Sequence, residues 1–365
     1  MTTPSTETTT AIKRGKKRTA TFIGLAVGAL TLYILFRGTD WAALGDALRR
    51  VHPGWILAAF LAKFGALLMK TYRFRFIVRT AAQARYRWLL SATSLGILAH
   101  AVLPVRPGNI VRAFVLGRLA KIPFPKSFAL VLVDNMSDML GVATIMAVGI
   151  AAIPTAQHIV LPAAMFDTES AVTFSAYAVQ PAAWAAMGSL IGLVIALTLA
   201  YFQEQRVTAF MERMISRFAP RFGPKIGEII QYFAEGLLIF RSPWEVARVI
   251  ALTVVTWSIN LSMHICIWKA FDLQWTWSTP LIVQALILAS MALPGAPAFV
   301  GAYHIAVAVA VLIAAPNADV STAKAAAIMN HIVYFMPIFI CGAVSLYVEH
   351  IRPSEINLDS TAVTE

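Results

Sequence analysis

Charge is scarce in this sequence. Only 13% of its 365 residues are Asp, Glu, Lys or Arg and 59% are apolar, whereas soluble domains average about 25% charged. So little polar surface cannot coat a water-soluble globule of this size, and a mean hydropathy of +0.71 excludes a soluble enzyme. Cysteine is scarcer still. Cys266 and Cys341 both lie inside apolar runs and make neither a disulfide framework nor a CxxC metal pair. No HExxH, nucleophile elbow, Walker loop or paired CxxC occurs, so metal and hydrolase chemistry have little support and no cofactor is expected.

What the chain has is long apolar runs. Residues 1–18 are Ser/Thr-rich, then basic, and read as a disordered cytoplasmic tail; 351–365 read as a second disordered tail. Within the domain at 19–350, six runs (19–36, 55–77, 128–153, 182–202, 249–270 and 325–348) are long enough to cross about 30 Å of hydrocarbon at 1.5 Å per residue. Two further stretches, 88–116 and 280–315, are broken by LPVRPG at 103–108 and LPGAPAFVG at 293–301. Pieces of about 12 to 18 residues reach only about 18–27 Å as helix, so each pair forms either thin spans or a re-entrant hairpin. The expected fold is an all-α polytopic membrane protein with six full spans plus two broken, re-entrant hairpins.

The net charge of +12 then reads as topology. Lys13, Arg14, Lys16, Lys17 and Arg18 precede the first run. Arg73, Arg75, Arg79, Arg85, Arg87, Arg112, Arg118, Lys121 and Lys126, the 206–248 cluster and Arg352 fall on the same side. The other side keeps Arg37, Arg49, Arg50, Lys269 and Lys324, and 154–181 contains no Lys or Arg. That asymmetry predicts an inner-membrane protein with both termini inside, and no nucleic-acid partner. Residues 204–222 place Val207, Phe210, Met211, Met214, Ile215 and Phe218 at helical spacing opposite Arg213, Arg217 and Arg221. They read as an amphipathic helix on an anionic membrane surface, or else as a linker helix packed on the bundle. Gly24 and Gly28 form a GxxxG read as packing, with a homo-oligomer left open.

The order span, broken hairpin, span occurs twice, at 54–153 and 248–348, with Leu103-Pro104 and Leu293-Pro294 offset by 190 residues. The copies enter the membrane from opposite sides. Inverted repeats broken at matching positions mark transporters whose site lies near the midplane between the halves.

Chemistry concentrates at the breaks. Pro104 and Pro107 remove backbone donors, Gly108 permits close approach, and Arg106 and Arg112 flank a helix N-terminus, a setting for a phosphate. The alternative is that Arg106 snorkels to the headgroups. Asp134 and Asp138, at i and i+4, share one helix face, with Arg106 or Arg112 as partners; a structural ion pair and a coupling site both fit. His304 and His331 are expected to meet in the second half, as a proton relay or, more simply, as hydrogen-bonded histidines. His100, His264, Lys63 and Lys70 are further buried ionisable candidates.

Four segments carry a family resemblance: LMKTYRFRFIVR (68–79), LAHAVLPVRPGNIVRAFVLGR (98–118), ALVLVDNMSDMLGV (129–142) and MALPGAPAFVGAYHIAV (291–307). The chain resembles the lysylphosphatidylglycerol synthase transmembrane region, the flippase-like family, without the cytosolic aminoacyl transferase domain. The resemblance implies a lipid-handling membrane protein whose partner is a phospholipid or lipid-linked substrate. By position it assigns Pro104, Arg106, Gly108 and Arg112 to the first motif, Asp134 to the acidic position, and Pro294, Gly295, Pro297 and Gly301 to the last. Asn135, His304 and His331 depart from the Arg, Glu and Arg common in relatives. The leading expectation is a lipid flippase or translocator rather than an enzyme; the alternative is a membrane-embedded component of glycolipid or polyprenyl-linked sugar synthesis, as transferase or scaffold.

Overall fold

A computed structural model describes residues 24–79, 82–103, 106–153, 158–168, 170–175, 243–292, 296–315 and 318–352, with isolated positions between 184 and 192. The two tails, the 182–202 run, the 204–222 amphipathic segment, and Pro104, Pro294 and Gly295 lie outside the described residues. Ten helices are described: α1 (Gly24–Phe36), α2 (Trp41–Arg49), α3 (Pro53–Arg79), α4 (Tyr86–Val102), α5 (Gly108–Ala120), α6 (Phe124–Ala151), α7 (Pro243–Ala270), α8 (Thr279–Ala292), α9 (Ala302–Ala314) and α10 (Val320–Val348).

Four of the six expected spans appear as long apolar helices, in α3, α6, α7 and α10; the first run is described only from Gly24. A fifth helix of spanning length and composition is Pro297–Ala314. It is the second arm of the second break, a hairpin arm by its sequence pattern; a 3-10 turn at Pro297–Phe299 extends this arm. The helical class needs one addition. Two four-residue strands, β1 (His158–Leu161) and β2 (Val172–Ser175), pair antiparallel with His158 opposite Ser175 and Leu161 opposite Val172. They lie in the segment that lacks Lys and Arg, outside the bundle's apolar helices.

Proline chemistry explains where the helices stop. The position before a proline is pushed out of the helical region, and α4 ends just ahead of Pro104. Pro107, which has no N–H to leave unsatisfied, precedes the first residue of α5. Asp40 and Asp319 cap α2 and α10 by accepting backbone N–H bonds from Ala42 and Ala43 and from Thr322.

The packing has two-fold character. α3 lies along α7, α4 against α10, and α8 against α6. Each arm packs on its own partner, α4 on α5 and α8 on α9, and α5–α6 is matched by α9–α10. Exchanging α3–α6 for α7–α10 maps these pairs onto one another. The helices α3 and α7 are antiparallel: the His52 N–H bonds to the Ala270 carbonyl at 3.0 Å, Lys63 reaches Asn260, and Arg73 reaches Thr253. Equivalent helices that run in opposite directions are the geometry of an inverted repeat. Large apolar side chains remain exposed on the outer faces of these helices, among them Leu57, Leu61, Val254 and Val344, which is the surface an integral membrane protein presents to lipid.

Glycines set two close approaches. Gly96 and Gly108 let α4 and α5 touch, since a Cβ on Gly108 would stand 2.5 Å from the Gly96 carbonyl. Gly301 holds φ +93° against α1, where a Cβ would meet Thr31 Cβ at 2.8 Å. Gly28 packs on Ala296 and the Val300 carbonyl of the same turn, so this half of the GxxxG has its partner within the chain. Gly301→Ala is expected to cost about 1–3 kcal/mol from the backbone alone, measured as a lower unfolding midpoint in detergent. Gly45→Ala in α2, where a Cβ would meet nothing within 4 Å, should leave that midpoint in place.

Candidate functional site

The two breaks meet. From the first, Arg106 adopts a left-handed backbone at φ 51° and sends its guanidinium into the second. There Nη1 donates to the Met291 carbonyl at 2.6 Å, and the guanidinium lies 4.5 Å from the Phe299 ring centroid. Met291 sits in the last turn of α8, whose carbonyls have no partner within the helix and which favours a cation.

Below this contact is a cavity of about 290 Å³, bounded by α3, α4, α6, α7, α10 and the second break. Its walls are mostly apolar, including Leu67, Ile97, Phe335 and Ile338, with Met291 and Phe299 at the Arg106 end. Its polar lining comes chiefly from Lys63, Lys70, His100, Asp138, Asn260 and Tyr334. A larger cavity of about 460 Å³ beside Asp46, Asp272 and Asp319 is remote from both breaks.

One end of the cavity rests on a buried ion cluster. Arg73 is fully buried; its Nε and Nη2 donate to Asp134 Oδ1 at 3.1 and 2.9 Å, Nη2 also reaches Asp138 Oδ1 at 2.7 Å, and Nη1 donates to Thr253. On the other oxygen of Asp134, Arg112 Nη2 pairs at 2.7 Å while its guanidinium lies over Phe74. Lys70 pairs with Asp138. The i, i+4 spacing thus does put Asp134 and Asp138 on one face. Arg112 is a partner as expected, whereas Arg106 is turned to the second break.

Arg73 and Arg112, which the charge pattern sets among the cytoplasmic residues, are both buried in the bundle. Arg75 and Arg79 are exposed, but Arg73 is sealed between α3, α6 and α7. A signal was available in helical phase. Lys63, Ala66, Leu67, Lys70, Arg73, Phe74 and Ile77 fall at three- and four-residue steps along one face, and Arg73 shares it with residues that have to be buried.

Lys63 begins a second buried network. Its Nζ donates to Asn260 Oδ1 at 2.8 Å and sits 3.3 Å from the Tyr334 ring centroid. Asn260 donates to Gln284, Gln284 Oε1 is 3.0 Å from His264 Nε2, His264 Nδ1 is 3.1 Å from Asn330 Nδ2, and the Tyr303 hydroxyl donates to Asn330 Oδ1 at 2.6 Å. Composition alone flags none of these amides. Their only cue is polarity inside an apolar run, where a polar side chain needs a partner.

His304 and His331 do come together, stacked with ring centroids 4.5 Å apart. His304 Nδ1 accepts from the Gly301 N–H at 3.3 Å, and His331 Nε2 donates to the Ala298 carbonyl at 2.9 Å. Both therefore brace the second break through the turn that contains Pro297 and Gly301. Among the described residues no group of three or more His, Cys, Asp or Glu side chains is arranged to hold a metal ion.

The glycosyltransferase AglD of Haloferax volcanii is 26% identical over 325 residues, which cover 85% of this chain and 50% of the relative; the chain thus spans about half the length of that curated protein. No solved structure matches it significantly. The lysylphosphatidylglycerol synthase TM region matches residues 21–342, from within the first apolar run to late in α10, and the chain belongs to that family.

Proposed function

We propose that this integral membrane protein translocates lipids with an anionic or lipid-linked headgroup across the inner membrane, with both termini on the cytoplasmic side. The observation that carries this reading is the cavity bounded by both halves, apolar in its walls and cationic at its polar lining. A headgroup enters between the broken hairpins, its phosphate meets Arg106 at the edge and the lysines within, and the acyl tails stay in lipid. Asp134, Asp138 and Arg112 hold the cationic end in place, and Gly108, Pro297 and Gly301 flank the breaks, whose sequences also contain Pro104, Pro294 and Gly295. His304 and His331 keep the second break in register.

Ala101 is buried and lines the cavity, so Ala101→Trp is expected to fill it and reduce movement of a labelled phospholipid in reconstituted vesicles to background. An unchanged rate in a variant that still elutes as a single species would sink the cavity route. The likeness to a protein named a glycosyltransferase supports a second reading, a membrane part of glycolipid synthesis. Sugar transfer to a polyprenyl phosphate by the purified chain would favour that one.

A further inference from the structure

The cavity and the cluster at its end hold more basic side chains than carboxylates to pair with them. Lys70, Arg73 and Arg112 face two carboxylates, Asp134 and Asp138. Lys63 adds a fourth cation with no carboxylate within ion-pair distance among the described residues. An ammonium has three donors; Asn260 takes one, the Tyr334 ring faces the group, and the amide chain beyond Asn260 fixes its position. With both lysines protonated, four cations face two carboxylates; burial makes that surplus costly, so full protonation of the site goes with the arrival of an anion.

We propose that the group which closes this balance is a doubly charged phosphate at the end of a lipid, a phosphomonoester or a diphosphate, with Lys63 as its principal contact. The inference rests on the translocation reading and narrows its substrate. A phosphodiester headgroup carries one negative charge and leaves one cation uncompensated; a headgroup with net positive charge makes the imbalance worse. The neighbouring Leu67, Ile97, Phe335 and Ile338 suit the start of an acyl or prenyl chain better than a water-soluble phosphate.

Binding of short-chain probes to the purified full chain in detergent tests this without transport. Dihexanoyl phosphatidic acid should bind at least about ten-fold more tightly than dihexanoyl phosphatidylglycerol, the increment expected from one added charged hydrogen bond. Glycerol 3-phosphate should bind far more weakly than either. Lys63→Met should remove the preference and Lys63→Arg should keep it. Equal binding of the two lipids by the wild-type chain overturns the proposal whether or not a variant folds. A preference that survives in folded Lys63→Met, or glycerol 3-phosphate binding as tightly as the phosphatidic acid probe, also overturns it. Ala101→Trp separates the two levels. If it abolishes binding of both lipids while the wild-type chain binds them equally, the cavity remains the lipid site and only the doubly charged headgroup falls. If it abolishes neither, both readings fall.

Discussion

Asp134→Asn should be the most damaging conservative substitution in the chain, lowering stability by about 3–5 kcal/mol. The change is nearly isosteric, and the retained carbonyl can still accept from Arg73. What disappears is the charge between two guanidiniums. Arg73 and Arg112 approach opposite oxygens of the same carboxylate, and all three groups are almost wholly buried. The new amide also places an N–H₂ against one cation, so a donor meets a donor. Removing one member of a buried ion cluster strands the rest, which is why the cost exceeds the net worth of the pairs themselves. The measurement is the unfolding midpoint in detergent together with the yield of monodisperse protein. Asp272→Asn is the matched control. Its partner is His52 at 3.2 Å, both side chains are largely exposed, and an exposed pair is worth under about 1 kcal/mol. Similar small shifts in both variants would mean that the cluster contributes nothing special.

The same contrast shows which parts of the architecture were legible from residues alone. The breaks were, because proline and glycine act locally. Pro107 removes its donor whatever surrounds it, and the bounds of α4, α5, α8 and α9 follow from that chemistry to within a few residues. The repeat was legible through the spacing of those breaks. The partners were not. Arg73 lies 61 residues from Asp134, and Lys63 lies 197 from Asn260; nothing in a linear pattern ties such pairs, and a basic run near a span end is normally topological. Helical phase alone separates Arg73 from Arg75 and Arg79. The cavity itself depends on how the antiparallel α3 and α7 bring the halves together, a tertiary fact with no local signature.

Arg106→Ala is expected to have the largest effect on transport, reducing lipid movement in reconstituted vesicles to background. Arg106 carries two roles that one deletion removes together. On the translocation reading it presents a guanidinium at the edge of the cavity, where the headgroup would enter. It also joins the halves, since its Nη1 holds the last turn of α8 through Met291 and its guanidinium lies over the Phe299 ring. Lysine separates the roles. Arg106→Lys keeps a positive charge but gives up the flat guanidinium and its fork of donors. If charge at the entrance is what transport needs, the lysine variant should retain most of the rate while the unfolding midpoint drops. If the link between breaks is what matters, lysine should fail nearly as badly as alanine, and Phe299→Leu should reproduce part of the defect with Arg106 intact. Full transport by folded Arg106→Ala would remove this residue from the mechanism and leave the cationic end of the cavity, Lys63 and Lys70, as the remaining place for a phosphate.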